Sequence, residues 1–229
     1  MSSFDKEICR QCDESCEFMK YSDAEPSSDF VKSLIQVRYK KKETIVKQGS
    51  HSSHVVYLKS GLLKVVTERR NDKNVILKIV APGNFIGLTH MLADTYHFTA
   101  IALKECEICL WPKEHIFNLM QTNKNFAQHI YQANANYSTL LVNKISSLGT
   151  KQMHGRLADV ILYLCESEFK ETNVFDVITR KDIAEMSGMS SESAIRLLTE
   201  FESDGLIKTI GKKIEINNLE LINRLSEVG

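Results

Sequence analysis

Two short apolar-periodic segments joined at a single glycine constrain this chain more than any other feature. They run from Thr179 to Ile207, with Gly188 at the join. Thr179 can cap the first helix, and Asp182, three residues on, supplies the reciprocal half of a capping box. Ile183, Ala184 and Met186 form its apolar side. Gly188 ends it, because glycine enters the left-handed conformation without a steric penalty. Ser190 can cap a second helix, whose buried side is expected to carry Ala194, Ile195, Leu197, Leu198 and Phe201. Helices of this length around one small turn residue make a helix-turn-helix. A β-hairpin over residues 207–216 follows as a wing.

The second helix starts Ser191-Glu192-Ser193, with Arg196 one turn further. Its N-terminal end, Ser190 included, is expected to enter the major groove. There Arg196 can donate to guanine and Glu192 can accept from the cytosine amino group. Arg180 and Lys181, with Lys208, Lys212 and Lys213 of the wing, are candidates for phosphate contacts. The competing reading of Glu192 and Arg196 is an exposed i,i+4 ion pair. Charge at first argues against nucleic acid, since 29 Lys and Arg balance 29 Asp and Glu. Residues 150–229 even carry ten bases against fourteen acids, a net of −4. Yet six of those ten bases lie in the helix-turn-helix or wing, and binding answers to the local face rather than the sum.

Upstream, from Val37 to about Pro112, short β-branched runs alternate with turn clusters such as Gly49-Ser50, Ser60-Gly61 and Pro82-Gly83-Asn84. This spacing predicts a sandwich, barrel or jelly roll. A short helix is expected over residues 29–35. Between Lys113 and Leu148 there is neither Pro nor Gly, and a single long helix is expected. Phe126, Ile130, Ala133, Tyr137, Leu140 and Lys144 recur at alternating spacings of 4 and 3. That apolar stripe, broken only by Lys144, is expected to form a dimer seam with a second copy of the chain; the competing reading packs it on the chain's own β domain. Gly149-Thr150 reads as the hinge. No apolar run approaches the roughly 20 residues that span a bilayer. The polar start lacks a signal peptide's apolar core, so a cytoplasmic protein without membrane partners is expected. P-loop, dinucleotide, G-x-S-x-G and HExxH motifs are absent from the sequence, and no catalysis is expected.

Several motifs together resemble the CRP/FNR family of bacterial transcription regulators. They are Lys47-Gln-Gly49, Tyr57-Leu-Lys-Ser-Gly61, Ala81-Pro-Gly-Asn-Phe-Ile-Gly87, His154-Gly-Arg156-Leu-Ala158, Ile178-Thr-Arg-Lys-Asp-Ile-Ala184 and Ser190-Ser-Glu-Ser-Ala-Ile-Arg196. The resemblance covers nearly the whole chain. It implies an α+β fold: a cyclic-nucleotide-binding-type β jelly roll, a long dimerisation helix and a C-terminal winged helix-turn-helix. The corresponding regions are a cysteine-containing segment 1–28, a sensor domain 29–112, a helix 113–148 and a DNA-binding domain 149–229. It further implies homodimers on palindromic double-stranded DNA that contact RNA polymerase.

Cyclic-nucleotide binders of the family hold the ribose with a Glu and the phosphate with an Arg-Ser pair. Here Leu88 and Phe98-Thr99 stand in those places. Phe98 cannot neutralise a phosphate, so cyclic AMP is not the expected ligand. Cys9, Cys12 and Cys16, spaced C-x2-C-x3-C, point instead to the FNR-like branch, with Cys109 on a late strand as fourth ligand and Cys106 as second choice. In that branch such thiolates hold a [4Fe–4S] cluster that favours the dimer and is lost to oxygen. The Cys12–Cys16 spacing is shorter than the branch's usual one. The same thiols could hold zinc or act as a thiol switch, and scattered histidines leave a haem sensor open. Cys165 lies in an apolar helical pattern and reads as a core thiol.

Overall fold

The computed structural model describes residues 34–69, 74–211 and 213–229. Cys9, Cys12, Cys16 and Lys212 therefore lie outside the described residues, as does most of the expected helix over 29–35. Its last residue, Ile35, opens a strand instead. Valine, isoleucine and aromatic side chains fit a pleated, half-buried surface, and they dominate eight short strands: β1 (Ile35–Tyr39), β2 (Thr44–Val46), β3 (His54–Ser60), β4 (Leu63–Thr67), β5 (Val75–Val80), β6 (Phe85–Ile86), β7 (Thr99–Ala102) and β8 (Cys106–Pro112). Two four-stranded sheets result, ordered β1-β8-β3-β6 and β2-β7-β4-β5. Their apolar faces make a jelly roll. Packing divides the chain into two compact units. One runs to Leu63 and resumes over Val80–Thr139; the other takes Lys64–Ile79 and Leu140–Gly229.

In the first unit the core gathers Tyr57, Phe85 and Trp111, with ring centroids of Phe85 and Trp111 5.5 Å apart, edge to face. Helices α1 (Lys113–Thr122) and α2 (Lys124–Thr150) follow. The single expected helix is thus two. Asn123 adopts an extended conformation, and its side-chain oxygen accepts the Phe126 N–H at 2.9 Å. An amide that offers the backbone this alternative partner ends one helix and caps the next.

That break aims the stripe read from the sequence. Phe126 and Ile130 sit at 0% and 1% exposure in the jelly-roll core, with Ala133 packed against it. They cover the chain's own β domain, so their assignment to a dimer seam is corrected. Tyr137 and Leu140 are half-buried, and burial pulls the Lys144 ammonium down to about 8. A second stripe lies beside the first: Tyr131, Ala135, Ser138, Val142 and Ile145. Of these, Tyr131, Val142 and Ile145 are 76%, 64% and 71% exposed. The helix runs through Gly149 and Thr150, and the break falls at Lys151 and Gln152.

The second unit holds α3 (Met153–Leu164), α4 (Val174–Val177), α5 (Arg180–Ser187), α6 (Ser191–Ser203), the hairpin β9 (Ile207–Ile210) and β10 (Lys213–Ile216), and α7 (Leu219–Val228). Helix α7 has no counterpart in the sequence reading. Asn218 caps it by accepting the Leu221 N–H at 3.0 Å. The β4–β5 hairpin packs in this unit. Tyr163 of α3 donates its hydroxyl to the Ile79 carbonyl at 3.0 Å and accepts the Ile79 N–H at 3.2 Å. Lys64 Nζ lies 2.5 Å from Asp182 Oδ1 and 3.8 Å from Glu185. Burial pushes the Asp182 carboxyl up. Hydrogen bonds from Lys64 and Thr179, with the Lys64 charge, outweigh it and leave the group below its ordinary range.

A carboxyl held low contributes stability above its unfolded pKa and loses it as pH falls through the folded value. Asp182→Ala should cost roughly 1.5–3 kcal/mol at neutral pH, because it removes the charged hydrogen bonds to Lys64 and Thr179 and leaves Lys64 only the longer contact to Glu185. It should also flatten the acid limb of a denaturation series below about pH 4. Lys181→Ala, which removes an exposed ammonium from a Glu185 that keeps Lys64, should change stability by less than about 0.5 kcal/mol.

Candidate nucleic-acid interface

Thr179 and Asp182 close the expected capping box. The Thr179 hydroxyl accepts the Asp182 N–H at 3.1 Å, and the Asp182 carboxylate accepts the Thr179 N–H at 2.9 Å. The helix ends at Gly188 with φ 62°. A side chain there would be strained by the backbone, and its Cβ would lie 2.6 Å from Leu148 Cδ2. Arg156 of α3 donates to the Gly188 carbonyl at 3.3 Å. Ser190 then caps α6 through the Ser193 N–H at 3.2 Å.

Helix α6 is amphipathic. Ala194, Leu197, Leu198 and Phe201 are 0–3% exposed and seat it on the unit's core. Ser191 and Ser193 are half-exposed at its start, and Glu192 and Arg196 are exposed. Among the described residues the i,i+4 ion pairs are Lys181–Glu185 and Arg224–Glu220, so Glu192 and Arg196 do not form the surface pair that was the bland reading of them. The Glu192 backbone N–H and the Ser190 hydroxyl hold the Glu192 carboxyl below its ordinary value. An ionised acceptor and an open guanidinium therefore share one solvent-facing edge, the pair of groups that base edges can distinguish.

Around that edge, Arg180 is half-buried. Burial draws its guanidinium down and Glu202 partly restores it. Lys181, Lys208 and Lys213 are exposed, with Lys213 3.7 Å from Glu215. The wing is anchored by a contact the sequence reading did not anticipate: Glu202 at the end of α6 accepts the Thr209 N–H of β9 at 2.6 Å. Its only sequence signal is an acid five residues before a strand. Ile195 departs from expectation. It was assigned to the buried side and is 51% exposed.

In the sensor, the residues at the positions compared above with a nucleotide site are buried. Leu88 belongs to the apolar core, and Phe98 is 4% exposed against the His90 ring. The Thr99 hydroxyl accepts the Gln48 N–H at 3.0 Å. Cys109 is 2% exposed in the cluster that also contains Leu34, and its register partner on β1 is Gln36. Cys106 turns its thiol to the Leu62 carbonyl at 3.1 Å, and burial pushes that thiol up. Burial likewise raises the half-buried Cys165.

Residues 36–123 match the cyclic nucleotide-binding domain family, and residues 155–225 match the Crp-like helix-turn-helix domain family. The chain is 25% identical over 184 residues to the cAMP-activated global transcriptional regulator CRP of Salmonella typhimurium, covering 78% of this chain and 88% of that protein. It is 23% identical over 192 residues to the transcriptional regulator LdrP of Thermus thermophilus, covering 82% and 94%. Among solved structures, FixK2 from Bradyrhizobium japonicum superposes with a TM-score of 0.73 at 17% identity, covering 86% of this chain and 98% of that one. A CooA mutant from Carboxydothermus hydrogenoformans gives 0.69 at 18% identity, covering 89% and 92%. With both domain types matched, and in that order, the chain belongs to the CRP/FNR family of transcription regulators.

Proposed function

We propose that the chain is a homodimeric regulator that reads palindromic DNA through α6, with a thiolate-held [4Fe–4S] cluster as its signal-receiving group. The observation that carries the DNA reading is the edge of α6. Its apolar back is sealed, its N-terminus is capped, and Glu192 and Arg196 face solvent unpaired with each other. Lys181 and the wing lysines supply phosphate contacts that are independent of sequence. Arg196→Ala should weaken specific binding by roughly 1–3 kcal/mol and relax preference at one base pair per half-site. Gel shifts against a selected pool of duplexes measure both; unchanged base preference sinks the assignment.

Self-association uses the exposed stripe of α2. Tyr131, Val142 and Ile145 project from one edge of the helix, since 11 residues make close to three turns, and the small Ala135 and Ser138 between them let two helices approach. Replacing Val142 and Ile145 together by Glu should give monomers by light scattering and abolish high-affinity binding to a palindrome. A stable dimer in that variant rejects this face. RNA polymerase is a further partner of the dimer, one that rests on the family resemblance.

The residues that would hold the cluster are Cys9, Cys12, Cys16 and Cys109. One observation favours Cys109: the described chain begins beside it, since Leu34 packs in the core cluster that contains Cys109 and β1 pairs Gln36 with it. Four thiolates are the donor set such a cluster takes, and when bound it supplies a redox-active centre. The hydrocarbon around Cys109 limits solvent access, which is one of the protein's levers on that centre. Cys106 fits less well, its thiol being engaged with backbone carbonyls. The burial of Leu88 and Phe98, neither of which can pair with a phosphate or ribose, argues in the same direction, away from cyclic AMP. A small-ligand sensor has one observation in its favour, a cleft of about 320 Å³ lined by Tyr39, Lys47, His51, His54 and Tyr96 among others. Protein purified without air should be coloured, contain iron and sulfide, and lose both in Cys109→Ser. Colourless, iron-free protein whose DNA affinity ignores air overturns the cluster.

A further inference from the structure

The exposed edge of α6 carries one side chain that neither donates nor accepts hydrogen bonds. Ile195 is 51% exposed. It follows Glu192 by three residues and precedes Arg196, so it stands among the groups that face solvent. The residues that seat the helix, Ala194, Leu197, Leu198 and Phe201, are complete without it. Thr199, the next exposed residue along this edge, has its hydroxyl engaged with the Ile195 carbonyl at 3.1 Å. Ile195 is therefore a hydrocarbon patch set between an anionic acceptor and a cationic donor, with no competing polar group of its own.

A β-branched side chain on a helix is held in essentially one rotamer. The position of its methyl groups is thus set by the backbone. In the major groove only one feature of a base pair answers to hydrocarbon, the C5 methyl group of thymine. A phosphate or a guanine edge would leave Ile195 unmatched and would itself be left without a partner.

Building on the DNA reading above, we propose that Ile195 recognises the C5 methyl group of a thymine adjacent to the base pair contacted by Arg196. Glu192 and Arg196 read polar edges, and Ile195 reads the apolar one. The helix thereby separates thymine from cytosine at a position where a hydrogen-bonding residue would have to separate them by their amino and carbonyl groups.

The test uses the full-length protein, purified without air, and the half-site it selects from a random duplex pool. Each thymine of the half-site is replaced in turn by deoxyuridine, which keeps base pairing and removes only the methyl. One position per half-site, next to the pair relaxed in Arg196→Ala, should weaken binding about fourfold, the worth of one buried methyl. Ile195→Ala should bind thymine and deoxyuridine duplexes equally at that position. Arg196→Ala should keep the methyl dependence while losing its own base preference. Full methyl sensitivity in Ile195→Ala, or none at any position in the unaltered protein, overturns the proposal while leaving α6 as the reading helix. Failure to select any preferred sequence overturns the DNA reading itself, and this inference with it.

Discussion

The direction in which α6 points depends on a carboxylate that water barely reaches. Asp182 is 3% exposed, and an ion so placed persists only when its lone pairs are satisfied. It is met on one side by the Thr179 backbone and hydroxyl at the start of α5. On the other it is met by Lys64 from β4. Only Gly188, Met189 and Ser190 separate α5 from α6, so whatever fixes α5 also fixes the reading helix. The Gly188 conformation, the Arg156 bond to its carbonyl and the Ser190 cap carry that orientation across the turn.

Most of this was legible in the sequence, and the parts that were not share a physical cause. Caps and turn glycines act over three or four residues. Thr179, Asp182, Gly188 and Ser190 could therefore be placed from the sequence, and so could β2, β3, β4, β5 and β7 from their β-branched runs, whereas β1 was not. The misreadings concern which side of a helix meets what. Phe126 and Ile130 are spaced as well for a coiled coil as for a seat on a β domain, and the parallel stripe through Tyr131, Val142 and Ile145 has the same period. Periodicity names a face, and only tertiary packing names its occupant. Ile195 was misplaced for a related reason: it lies beside Ala194 and Leu197 in sequence, but at the margin of the arc those residues bury. Asn123 divided a stretch with neither Pro nor Gly, because a side-chain amide competed successfully for a backbone donor.

The electrostatics follow the same logic. A C-terminal region that is acidic in total still exposes Arg196, Lys181, Lys208 and Lys213, while several of its acids are occupied inside the fold. Asp182 and Glu185 face Lys64, and Asp159 accepts from Lys151 at 2.8 Å. Acids committed to holding the scaffold contribute little to the field outside it, so the formal charge of the region is a poor guide to the potential at its exposed face.

The membership of β4 and β5 in the C-terminal unit has an evolutionary corollary. The hairpin is contributed by the sensor's stretch of sequence, yet Lys64 and Ile79 supply partners to α5 and α3. A boundary drawn at residue 150 would therefore cut through a packed body rather than between two. Recombination that exchanged the C-terminal region among relatives at that point would strand Asp182 and Tyr163 against a foreign hairpin. Lineages of such regulators should thus inherit hairpin and reading domain as a linked pair, with changes at position 64 answered at position 182.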